Sequence, residues 1–192
     1  AFRGAAGRGR TMDMADNTAG KPTTVLFVND VGHLGGGAEQ SFLELIAALP
    51  RERVRPCAAL PGAGGVSAAL TRLGVPVDPV PFRRLTKSRT PVTQARATVA
   101  LVRGTRRLVQ AAHRVHADAL HANSSIAHVY CAAASYLLPV PVTWHCRDLT
   151  SLGVLGRWMG RRSAGIVAIS DAVRQHACRY VQDPATVTTV LN

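Results

Sequence analysis

Short apolar runs alternate with helix-patterned segments from residue 23 onward, and this alternation restricts the fold more than any other feature of the chain. TTVLFVN (23–29) is β-branched and apolar, as a buried strand requires. It enters three consecutive glycines and leaves as a helix from Ala38 to Leu49, with Phe42, Leu45, Ile46 and Leu49 at three- and four-residue spacing. VRPCAAL (54–60) follows as a second strand and Val66 to Leu73 as a short helix stopped by Gly74. VPVDPV (75–80) then reads as a strand whose prolines place it at a sheet edge. The second half repeats the scheme. A long helix over 92–116 precedes the strand DALHAN (118–123), a helix from Ser124 to Leu138 and the strand PVTWHC (141–146). A helix from Leu149 to Arg162, the strand AGIVAIS (164–170), a helix from Asp171 to Tyr180 and the strand ATVTTVL (185–191) complete the pattern. Such alternation predicts an α/β domain over 23–192, a Rossmann-like parallel sheet with helices on both faces. Ligands of such sheets bind beyond the carboxyl ends of the strands. The residues to inspect are therefore the glycine loop, His121 to Ser125, His145 to Asp148, and Ser170.

Residues 1–22 are small, polar and Arg-dotted, with no apolar stretch, and are read as a disordered leader outside the fold rather than a secretory signal. The sequence starts at Ala1, with Met12 and Met14 inside the leader, so a fragment or an upstream start is expected. No apolar run reaches the roughly 18 residues of a membrane span. Cys57, Cys131, Cys146 and Cys178 are widely spaced and form no CxxC pair, so reduced buried thiols in a cytoplasmic protein are expected rather than disulfides. The net charge of +12 comes mainly from arginine and favours an anionic partner: nucleic acid, a phosphorylated substrate or acidic lipid.

Backbone N–H groups in a glycine turn between strand and helix can approach a phosphate closely, helped by glycine's access to positive φ. Gly35, Gly36 and Gly37 do not complete a GxGxxG fingerprint, because residue 40 is Gln, and strand 54–60 carries no acidic residue for a ribose. A P-loop fails as well, since Ala38 and Glu39 stand where Lys and Ser or Thr are needed. Glu39 would repel a phosphate, so it is expected to face away from one, toward packing or a neutral hydroxyl. His145, Arg147 and Asp148 lie within four residues at a strand end and can polarise a substrate and orient its hydroxyls. The alternative is a His satisfied by backbone beside a local Arg–Asp pair. Asn123, Ser124 and Ser125 read as N-caps for the following helix, and Ser170 or Asp171 caps another. His113 and His116 lack a carboxylate or Cys at matching spacing, so no metal site is expected.

Arg96, Arg103, Arg107 and Arg114 are separated by 7, 4 and 7 residues and fall on one helix face, with Val99, Val102, Val109 and Ala112 on the other. Arg83, Arg84, Lys87 and Arg89 precede them. The stripe is either a solvated face or a contact with an anionic membrane surface or phosphorylated acceptor. Nucleic acid is not favoured, because aromatic residues are not interleaved with the arginines.

The ordered set of segments resembles the amino-terminal domain of a family 4 retaining glycosyltransferase of the GT-B fold. VLFVNDVGHLGGGAEQSFLELIAAL resembles that family's first strand, GGxE loop and first helix, and DALHANSS its D-x-x-H-x-H/N-S segment. VPVTWHCRDL resembles the strand ending in the active-site His, AGIVAISDAVRQ a later strand–helix junction, and VTTVLN the lead-in to an N-G turn. The resemblance implies transfer of a hexose-type sugar from a nucleotide-sugar co-substrate to an acceptor, with retention and without metal or other cofactor. The acceptor class (lipid-linked, glycan or small molecule) is left open. By the same resemblance Gly36 and Gly37 meet the donor diphosphate, and His145 lies beside the transferring sugar. Three glycines stand where two are usual, and Arg147 and Asp148 are not fixed features of the family. The resemblance also implies a carboxyl-terminal donor domain beyond Asn192, so the isolated fragment is expected to be inactive. The unpaired cysteines and the basic stripe lead to an expected cytoplasmic location with peripheral contact to the inner membrane face. The alternative is a non-catalytic Rossmann-like binding module for an anionic partner.

Overall fold

The computed structural model describes residues 20–83 and 90–191. Its elements are β1 (Thr23–Val28), α1 (Gly37–Ala48), β2 (Val54–Leu60), α2 (Gly65–Arg72), β3 (Val77–Pro79), α3 (Pro91–Val115) and β4 (Ala119–Ala122). They continue as α4 (Ser125–Ala134), β5 (Val142–Cys146), α5 (Gly153–Arg161), β6 (Gly165–Ala168), α6 (Asp171–Ala177) and β7 (Val187–Thr189). All seven strands are parallel, in the order β3-β2-β1-β4-β5-β6-β7. The proline-bearing β3 lies at the edge, where a missing N–H costs no ladder bond.

Alternate strand residues supply two cores, because successive side chains point to opposite faces. On one face Phe27, Ala58 and Leu60 pack with Phe42 and Ile46 of α1 and Val66 and Leu70 of α2. On the other, Leu26, Val28, Cys57, Ala59, Leu120 and Ala122 meet Leu108, Ala111 and Ala112 of α3 and Tyr130, Cys131 and Ala134 of α4. Trp144, Cys146, Ile166 and Ala168 continue that second core against Met159 of α5 and Val173 and Ala177 of α6. Gly104 lets α3 approach α4, since a Cβ there would stand 2.5 Å from the Tyr130 ring.

Three expected helices are shorter than their apolar patterns. The segment 149–152 stays outside α5, because the Asp148 carboxylate accepts the Thr150 N–H and the Tyr180 hydroxyl accepts the Leu152 N–H. The helix from Ser124 gives way to turns after Ala134. Helix α6 tightens into a single 3-10 turn at Cys178–Tyr180. The last strand is trimmed from its start, where Asp183 caps a 3-10 turn at Pro184–Thr186.

The long helix also corrects the reading of the basic stripe. Its buried positions are Gly104, Thr105, Leu108, Ala111 and Ala112, whereas Val99 and Val102 are exposed, as is Val92. Arg114 leaves the stripe by forming a bidentate pair with Asp78 of β3. Arg96, Arg103, Arg106 and Arg107 remain on the exposed surface. Arg84, Lys87 and Arg89 lie outside the described residues. Both backbone polar groups of Arg83 are held by the Tyr130 hydroxyl, which accepts from its N–H and donates to its carbonyl.

Candidate functional site

The strand order reverses direction of growth between β1 and β4, and a crevice at the carboxyl ends of those strands is the expected ligand position in a doubly wound sheet. Two asparagines, one just beyond each strand, close its floor. Asn123 donates through Nδ2 to Asn29 Oδ1 at 3.0 Å, and Asn29 in turn donates to the Val31 carbonyl. Ser124 donates to the Asp30 carboxylate while its own hydroxyl accepts the Ala127 N–H, capping α4. Capping therefore describes Ser124 but not Asn123 or Ser125; the Ser125 hydroxyl instead donates to Asp148. Ser170 caps α6 by accepting the Val173 N–H.

Arg147, just past β5, draws these elements together. Its guanidinium donates to the Asn123 carbonyl and Oδ1, to the Ser41 hydroxyl of α1, and to His145 Nδ1 at 3.2 Å. Arg147 and Asp148 thus face different partners, and the local Arg–Asp pair considered from sequence does not form. Glu39 is buried in the first turn of α1. It lies near enough to Arg147 to favour that side chain's charge against the effect of burial. Its carboxylate turns back toward Gly36, within 3.3 Å of where a Cβ would stand. Glu39 accordingly offsets a half-buried cation and lies toward the glycine loop at Gly36, rather than facing away from it toward packing or a neutral hydroxyl as expected.

His121 of β4 and His145 of β5 stand side by side, with ring centroids 5.7 Å apart. His121 Nδ1 bonds the Thr143 hydroxyl at 2.8 Å, and Phe27 covers its ring. The Nε2 atoms of both histidines are buried and have no hydrogen-bond partner among the described residues. Such an unpaired buried group costs about 1–3 kcal/mol and is tolerated chiefly where something else satisfies it. Burial holds both rings neutral, with Arg147 adding to the effect: His145 is lowered to about 3 and His121 to about 4.

The glycine loop lies beside this cluster through α1. Gly36 is the N-cap of α1 and Gly37 its first residue, with Ser41 one turn on. Among the described residues, positive φ occurs at Gly62, Gly74, Gly153 and His116, so Gly35 to Gly37 are not required by backbone conformation. A Cβ on Gly37 would meet nothing within 4 Å. The space above it is open, which suits a ligand approaching the helix N-terminus. The base of the loop is fixed elsewhere, where Val66 N–H bonds the Gly32 carbonyl and Gly64 has no room for a side chain.

Asn29, Asp30, Ser41 and Thr143 escaped the sequence reading. The signal available was position: Asn29 and Asp30 directly follow β1, just as Asn123 follows β4. Among the described residues, no three His, Cys, Asp or Glu side chains gather where they could hold a metal ion.

A search of curated proteins finds no match. Among solved structures, Anabaena Alr3699/HepE in complex with UDP-glucose aligns with a TM-score of 0.66 at 21% identity over 88% of this chain. A glycosyltransferase from Rickettsia africae ESF-5 aligns with a TM-score of 0.65 at 16% identity over 89% of the chain. Acinetobacter baumannii MurG aligns at 0.59 and 14% over 89%. The chain spans 43%, 43% and 45% of those proteins, less than half of each. These likenesses show the Rossmann-like fold of a GT-B glycosyltransferase domain. The sequence description Glycosyltransferase Family 4 matches residues 35–192, from the glycine loop through the final strand, and the chain belongs to that family.

Proposed function

We propose that this chain is the acceptor-side half of a glycosyltransferase that moves a hexose-type sugar from a nucleoside diphosphate to an acceptor, with retention and without a metal. The observation that carries the reading is the pair of neutral histidines with unpaired Nε2 atoms at the ends of β4 and β5, next to an open helix N-terminus. An anionic diphosphate fits the open helix N-terminus at Gly37, on the side away from the Glu39 carboxylate that lies by Gly36 and interacts with Arg147, and polar sugar or acceptor groups fit the histidine side of the crevice. UDP-glucose is the natural first probe, because HepE is described in complex with it.

Sugar transfer needs both substrates held together in one geometry. A second domain supplies the rest of the donor site, so the chain of residues 1–192 binds a nucleotide sugar weakly and does not turn it over. Calorimetry with UDP-glucose is expected to give a millimolar-range affinity that falls several-fold in Gly37→Val, a position where an added Cβ meets nothing within 4 Å. Equal affinity in parent and variant would remove the loop from the donor site. Robust transfer by the chain alone would refute the division of labour. In a transfer-competent longer protein, His145→Ala is expected to lower turnover by more than about tenfold.

A second reading concerns the partner surface rather than the chemistry. The exposed arginines of α3 stand beside exposed Val92, Val99 and Val102, and Arg103, Arg106, Arg107 and Gln110 face Pro79 and Pro81 across an open groove of about 600 Å³. The helix sequence contains no Asp or Glu. Interleaved cations and aliphatic groups suit an anionic lipid surface, which would bring a lipid-linked acceptor to the crevice.

A further inference from the structure

We infer that Arg147 is a positioning residue that fixes His145 as an Nε2–H hydrogen-bond donor, so that His145 recognises a substrate oxygen and does not serve as a base. The inference rests on the glycosyltransferase reading only for the identity of that oxygen. A guanidinium N–H can donate but never accept. Its contact with His145 Nδ1 therefore assigns the lone pair of the ring to Nδ1. In a neutral imidazole the single proton must then sit on Nε2. That atom is buried and unpaired among the described residues, which leaves an N–H for a ligand to satisfy.

The groups that face His145 agree on its charge. Arg147 from its own strand end and His121 from β4 both disfavour a second proton, and burial acts in the same direction. Glu39 of α1 acts on Arg147, favouring its charged form. Arg147 is itself clamped by Asn123 from β4 and Ser41 from α1, so its direction is set by three elements. A base at this place would need a free nitrogen lone pair, and the only one is already occupied by Arg147. The chemistry left to His145 is donation to an oxygen of the sugar or the acceptor.

The test is nitrogen NMR of the histidine-labelled chain without ligand, so its outcome is separate from that of the nucleotide-sugar binding experiment. The unaltered chain should show His145 protonated at Nε2 and bare at Nδ1 across pH 5–8, with a scalar coupling from an Arg147 guanidinium nitrogen to Nδ1. Arg147→Met should lose that coupling and let His145 populate the Nδ1–H tautomer at pH 7, since no donor then holds its Nδ1 lone pair. Arg147→Lys, which restores a donor, should return the ring toward Nε2–H. An Nδ1–H ring in the unaltered chain overturns the assignment whether or not either variant folds. A ring that stays wholly Nε2–H in folded Arg147→Met at pH 7 overturns the role of Arg147.

Discussion

Replacing Asn123 with Ala probes the crevice at the point where most of its bonds meet. The side chain is 1% exposed. It donates one bond to Asn29 and accepts two from the Arg147 guanidinium, at 3.2 and 2.8 Å. Bonds to a charged group contribute about 1.5–3 kcal/mol and a neutral one about 1. Arg147 keeps its bonds to the Asn123 carbonyl, Ser41 and His145, which limits the loss. The expected destabilisation is about 2–4 kcal/mol, or roughly 5–15 °C in Tm for a domain of this size. Urea unfolding followed by circular dichroism measures it. Asn123→Asp keeps the two acceptors for Arg147 but sets a carboxylate oxygen against Asn29 Oδ1, so it too should destabilise the domain. A change under about 0.5 kcal/mol in Asn123→Ala, the range of ordinary surface substitutions, would refute the network as the clamp on Arg147.

Three further outcomes follow from the same structure. His121, His128 and His145 are lowered to about 4, 4 and 3 by burial, from an ordinary value near 6.5. The unfolded chain binds more protons than the folded one between those values, so stability is full above about pH 6.5 and falls below it. Three such groups give a slope of up to about 4 kcal/mol per pH unit, and equal unfolding midpoints at pH 7 and pH 5 would contradict it. Gly104→Ala forces a methyl to 2.5 Å from the Tyr130 ring and should destabilise by about 1–3 kcal/mol, read by thermal unfolding; a neutral result would mean that α3 and α4 are not in close contact. Sedimentation with acidic vesicles should show salt-sensitive binding that weakens when Arg96, Arg103 and Arg107 become Gln, and equal partition would leave α3 a solvated face.

The strands were legible because buried parallel strands are written as unbroken apolar runs, as in TTVLFV and GIVA, and because Pro and Gly punctuate them. Element ends were less legible where a polar side chain redirects the backbone, as Asp148 does before α5 and Asp183 before β7. The sequence left the exposure of α3 open, because valine marks burial only if a neighbour arrives, and none covers Val99 or Val102 among the described residues. The glycine loop, His121, Asn123, His145 and Arg147 were all selected from sequence by lying at or just beyond the carboxyl ends of strands. What they do to one another was not readable. Asn29 and Asn123 are 94 residues apart and meet only because β1 pairs with β4, while Ser41 and Arg147 meet across 106 residues. A cap and a network member look alike until the neighbouring strand is known.

Residue-resolved NMR of the labelled chain titrated with UDP-glucose tests the central claim most directly. The account predicts millimolar-range binding with the largest shifts at Gly36, Gly37 and Ser41, extending to Asn123, His145 and Arg147 around the crevice. Shifts confined to α3, or none at these positions up to saturating ligand, would contradict it.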